Sequence, residues 1–86
     1  MAASITFSSR AAKDLVALTK SDPALPEKLR EAFLDVSAGH MQHVKKLEGN
    51  HRAMYRLRVG VFRALFVFEA DYLLVVKIAH RKESYR

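Results

Sequence analysis

Tyr55-Arg56-Leu57-Arg58-Val59-Gly60-Val61-Phe62-Arg63 sets two stretches rich in β-branched, aromatic and cationic residues on either side of a single glycine. Alternate side chains of a strand share a face, so Arg56 and Arg58 project together while Tyr55 and Leu57 point the other way. Gly60 permits the turn that folds the second stretch back on the first. The result is a hairpin with cations spaced along it, and two fixed guanidinium groups invite an anion.

Working outward, three strands are expected, at about Ala53 to Val59, Val61 to Phe68 and Tyr72 to Ala79, with Glu69-Ala70-Asp71 closing the second turn. Toward the N-terminus, Ser4-Ile5-Thr6-Phe7-Ser8 alternates polar and apolar, the pattern of a half-buried strand. From Arg10 the period lengthens, with Ala11, Leu15 and Leu18 on one side and Ser8 or Ser9 placed to cap a first helix. Pro23 and Pro26 then break the chain, and Leu25, Leu29, Ala32, Phe33 and Val36 mark one face of a second helix ending at Gly39. Ser37 to Asn50 reads as a long loop.

The expected class is therefore α+β: an antiparallel sheet of about four strands with an N-terminal helical hairpin packed on one face, in the order β-α-α-β-β-β. Leu57, Phe62, Phe66 and Phe68 are the candidates to pack beneath the helices. The second and third strands of the C-terminal half are apolar on both alternating sets (Phe62, Phe66 and Phe68 against Leu65 and Val67; Leu74 and Val76 against Leu73 and Val75). Such strands need cover on both faces, and two short helices supply only one. A protein partner or a dimer contact is expected on the other.

At 86 residues the chain is expected to form one domain, residues 1–86. Charge is unevenly distributed along it. Residues 1–39 carry five cations and five acids, whereas residues 40–86 carry ten cations and four acids, which is the whole formal net charge of +6. A chain basic in one half favours a polyanionic partner, nucleic acid first, with an anionic membrane or an acidic protein behind it. The absence of cysteine excludes disulfides and thiolate metal sites and suits a reducing cytoplasm. No apolar run approaches the roughly 20 residues that span a bilayer, so no membrane role is expected.

Lys46-Leu47-Glu48-Gly49, the hairpin from Tyr55 to Arg63, the apolar strands and the closing Ala79-His80-Arg81-Lys82-Glu83-Ser84-Tyr85-Arg86 together resemble the RelE/ParE superfamily of bacterial toxins. The His-Arg-x-x-x-Tyr ending is more similar to its RelE-type branch. The resemblance implies a metal-independent, ribosome-dependent mRNA endoribonuclease that inhibits translation and needs no cofactor. It implies a cognate RelB-like antitoxin that wraps the toxin, with a toxin–antitoxin heterotetramer as one assembly, and the ribosome with its A-site mRNA as the target. In that chemistry the 2′-hydroxyl of the RNA attacks the adjacent phosphate, so the protein must align the attack, take a proton, neutralise the phosphorane and see the 5′ oxygen protonated.

Carried over by position, the resemblance implies catalytic roles for Arg58, Arg63, His80, Arg81 and Tyr85. Arg63 and Arg81 take phosphate charge as planar bidentate donors, and Tyr85 stacks on a base. Lys45, Lys46, Arg52, Arg56, Lys82 and Arg86 are the RNA-binding candidates. Some members of the superfamily carry lysines where this chain has Arg56 and Arg58, and a guanidinium does not act as a base. That leaves His80 as the proton shuttle, or a site with no strong base at all.

Each candidate has a plainer reading. Arg56 and Arg58 also suit the solvated face of a strand, His80 a strand-end histidine bonded to backbone, Tyr85 a tail anchor, and Lys77 an edge charge that discourages strand pairing. His40-x-x-His43 has metal-ligand spacing but lies in the expected loop with no third ligand, so a surface position is preferred and no metal is expected. Two other functions stay open at this point: a ParE-like toxin that blocks DNA gyrase by binding, and a degenerate member without toxicity.

Overall fold

The computed structural model describes residues 4–47, 49 and 53–82. Five strands and two helices follow in the order β1 (Ser4–Phe7), α1 (Ser9–Thr19), α2 (Leu25–Ser37), β2 (Val44–Lys46), β3 (Tyr55–Val59), β4 (Phe62–Phe68) and β5 (Tyr72–His80). They form one sheet ordered β1-β5-β4-β3-β2.

Ser8 turns the chain from strand to helix. Its backbone N–H donates to the Val75 carbonyl at 2.9 Å, continuing the β1–β5 pairing, while its Oγ accepts the Ala11 N–H at 3.1 Å as the cap of α1. The same hydroxyl donates to the Val76 carbonyl at 3.2 Å. Proline in the first turn of α2 suits a position whose N–H has no helical partner, and Gly39, with φ +96°, ends the helix in the left-handed region. Gly60, with φ +61°, sits in the turn of the β3–β4 hairpin as the sequence requires.

The core lies between the helices and one face of the sheet. Ala11 of α1 and Leu25, Leu29, Phe33 and Val36 of α2 meet Leu57, Val59, Phe62, Ala64, Phe66, Leu73, Val75 and Ile78. Phe33 meets Phe66 edge-on, with ring centroids 5.2 Å apart. Phe68 lies beside Tyr55 and Phe66 as an aromatic extension of this core, yet it is 45 % exposed rather than packed beneath the helices.

The expected sheet changes. The sheet is mixed and five-stranded, because β1 runs parallel to β5 and Val44–Lys46 adds an edge strand antiparallel to β3 inside what reads as a loop. Lys77 lies on β5 opposite Leu65, two residues past Val75, where the pairing with β1 ends. On the second face of the sheet, Leu65 and Val67 of β4 are 8 % and 2 % exposed within the chain, whereas Leu74 and Val76 of β5 are half-buried. Among the described residues the exposed large apolar side chains are Val16, Leu34, Met41, Val61, Phe68 and Tyr72; by alternation Val61 shares the face of Arg63, and Tyr72 that of Leu74. No helix among the described residues is long and apolar enough to cross a membrane.

Candidate nucleic-acid interface

The register of the sheet decides which cations meet. Leu57, Ala64 and Ile78 form one row across β3, β4 and β5, on the face that packs against the helices. The pleat puts the neighbouring rows on the opposite face. One of these runs Lys45, Arg56, Leu65, Lys77; the next has Arg58 paired with Arg63 and Arg63 paired with Ala79. The Arg58 N–H donates to the His43 carbonyl at 3.1 Å, extending the ladder so that His43 heads this second row.

These residues wall a groove of about 300 Å³ lined by Gln42, His43, Val44, Lys45, Arg56, Arg58 and Arg63. Direct cross-strand partners have Cβ atoms roughly 5 Å apart, so Arg58 and Arg63 place two positive charges side by side. Among the described residues, no carboxylate lines the groove. In the helical half, ion pairs join Arg10 to Asp14, Lys28 to Asp22 and Arg30 to Glu27. The described walls of the groove thus gather like charges, and an anion between them would relieve their repulsion.

The remaining sequence candidates divide. The Arg81 N–H donates to the Val61 carbonyl at 2.7 Å, which continues the β4–β5 ladder and places Arg81 one alternation beyond the Arg63 row. Lys82 is exposed in the turn that follows. Lys46 pairs with Tyr55 and so belongs to the helix-side rows, away from the groove. Arg52, Tyr85 and Arg86 lie outside the described residues.

His80 does not sit where the sequence reading places it. Its register partner is Phe62, a core residue, and its ring meets that of Phe62 edge-on at 5.6 Å. It belongs to the helix-side face, across the sheet from Arg63. Its Nδ1 accepts the Lys82 N–H at 3.2 Å, a local strand-end bond. The imidazole that does line the groove is His43, set aside in the sequence as part of a loop. The available signal was the alternation His43, Val44, Lys45, polar on the two positions that flank a valine, which is the pattern of a very short half-buried strand.

No protein-family profile and no curated protein sequence matches the chain. Solved structures do. The YoeB dimer from Staphylococcus aureus superposes with a TM-score of 0.74 at 18 % identity, covering 90 % of this chain and 94 % of that one. The RelBE2 toxin–antitoxin complex from Mycobacterium tuberculosis gives 0.75 at 23 % identity, over 94 % of this chain and 100 % of that one. The fold is that of the RelE/YoeB-type toxins. The E. coli DinJ-YafQ complex matches over the full length of both chains with a TM-score of 0.72 at 13 % identity. On the RelE/YoeB-type fold of this chain, the arginine groove occupies the sheet face turned away from the helical hairpin.

Proposed function

We propose that the protein is the toxin of a type II toxin–antitoxin pair and an endoribonuclease that cleaves mRNA on the ribosome by attack of the 2′-hydroxyl on the adjacent phosphate. The observation that carries this reading is the cross-strand pair Arg58–Arg63 in a groove that also holds Arg56 and Lys45 and, among the described residues, no carboxylate. Two adjacent guanidiniums suit the non-bridging oxygens of a phosphate, whose charge grows as the phosphorane forms. The backbones of Arg58, which is exposed, and Arg63, which is half-buried, are fixed by strand pairing, so binding orders only their side chains. The likeness to solved YoeB, RelBE2 and DinJ-YafQ structures supports the same class of protein.

The chemistry asks for charge and positioning from Arg58 and Arg63, with Arg81 one step along the ladder to take a neighbouring phosphate. Tyr85 is assigned to base stacking from its sequence position. An antitoxin is the expected protein partner, and Val61, Phe68 and Tyr72 offer it exposed apolar side chains.

The test is cleavage of a defined mRNA on programmed ribosomes. The expected products carry 2′,3′-cyclic phosphate and 5′-hydroxyl ends at the A-site codon. Intact mRNA together with gyrase-trapped DNA would overturn this reading in favour of a binding toxin.

A further inference from the structure

We infer that His43 is the general base that takes the proton of the attacking 2′-hydroxyl; this rests on the nuclease reading above. Three observations lead there. His43 lines the arginine groove, and it also lines a second, smaller hollow with Asp35, His40, Leu57 and Arg58. Its backbone carbonyl is bonded to the Arg58 N–H, so it is tied to the same row of the sheet as the Arg58–Arg63 pair. Among the described side chains on the groove wall, imidazole alone exchanges a proton readily near neutrality, since guanidinium and ammonium groups hold theirs.

A phosphate seated between Arg58 and Arg63 presents the sugar that precedes it along the same row. His43, which immediately precedes β2 and is bonded through its carbonyl to the Arg58 N–H, stands at the end of that row. Its unprotonated ring nitrogen takes the hydrogen of the 2′-hydroxyl as O2′ forms its bond to phosphorus. The P–O5′ bond breaks, leaving a 2′,3′-cyclic phosphate on one fragment, and the departing O5′ recovers a proton through water. The proton taken from O2′ is balanced by the one gained at O5′, and no oxidant or metal enters the step.

The charged and titratable groups around His43 come from each neighbouring element: Asp35 from α2, His40 from the α2–β2 connection, Lys45 from β2, Arg56 and Arg58 from β3 and Arg63 from β4.

The experiment is single-turnover cleavage on programmed ribosomes as a function of pH, for the wild type and His43→Ala. The side chain is exposed, so the variant should fold, which circular dichroism and the thermal midpoint would check. The expected result is a loss of roughly 100-fold or more. The acid limb of the pH–rate profile should vanish with it, and added imidazole should restore part of the rate. If the wild type cleaves and His43→Ala keeps both rate and acid limb, this inference falls while the nuclease reading stands. A slower variant with an unchanged acid limb and no imidazole rescue also overturns it, leaving His43 a positioning residue. A wild type that leaves mRNA intact overturns both readings.

Discussion

Arginine and lysine are not equivalent at Arg63. The residue stands between Arg58 on β3 and Ala79 on β5, so its guanidinium leaves the middle of the sheet with a cation on one side and a methyl group on the other. A planar fork can meet two phosphate oxygens at once, while an ammonium at the same place acts as a single point charge. Arg63→Ala should therefore slow mRNA cleavage by about 100-fold or more, the usual loss when a transition-state charge donor is removed. Arg63→Lys should recover only part of that rate. Single-turnover kinetics of the two variants on programmed ribosomes check the order, and equal rates for lysine and arginine would remove the bidentate role. His80 is the contrasting residue. In sequence it adjoins Arg81, but in the structure the pleat turns it toward Phe62 and the core. Adjacency in sequence along a strand means opposite faces, and only the register says which face each residue takes.

The elements show why some of the architecture could be read and some could not. α2 was legible because Leu25, Leu29, Phe33 and Val36 keep the helical period and all four are buried. The β3–β4 hairpin was legible from Gly60 and its β-rich flanks. β2 was not, because three residues paired with the edge of β3 carry almost no periodicity of their own. The parallel pairing of β1 with β5 was hidden for a different reason: strand order is set by long-range packing, which local pattern does not encode. Asp14 makes the same point within one element. Its place on the polar side of α1 suggests solvent, and it does pair with Arg10 at 3.1 Å, but its Oδ2 also accepts the Ile78 N–H at 3.0 Å. The ladder of β1 on β5 ends at Phe7, opposite Val75, and the carboxylate of α1 then supplies an acceptor that a longer β1 would have given. Asp14→Ala should leave that N–H unsatisfied and cost about 1–3 kcal/mol, measurable by urea unfolding. By contrast, the Arg30 guanidinium bonded to Glu27 holds that carboxyl below the usual carboxylate range, but the pair is fully exposed. Whatever it adds is present above the ordinary carboxylate range and lost as pH falls through the lowered value. Glu27→Gln should scarcely move the thermal midpoint at neutral pH.

For the whole molecule, the question is whether its positive charge acts as a net quantity or as an arranged one. The formal charge of +6 resides entirely in residues 40–86, and Lys45, Arg56, Arg58 and Arg63 of that half share one groove. If attraction came from net charge alone, any lost cation would weaken RNA binding alike. If the groove holds phosphates, each cation in contact releases a counterion, and the logarithm of the affinity falls with the logarithm of salt by about 0.7 for each contact on a single strand. Three or four contacts then predict a slope near −2 to −3. Arg58→Ala with Arg63→Ala should flatten that slope by about 1.4. Lys20→Glu, at the C-terminal end of α1, lowers the net charge by the same two units while leaving the groove intact. It should weaken binding a little at low salt through the long-range field, and leave the slope nearly as it was. Fluorescence anisotropy with a short single-stranded RNA across a salt series separates the two cases. Equal flattening in both variants would mean that the molecule attracts RNA as a diffuse cation, and the groove would lose its claim to be the binding site.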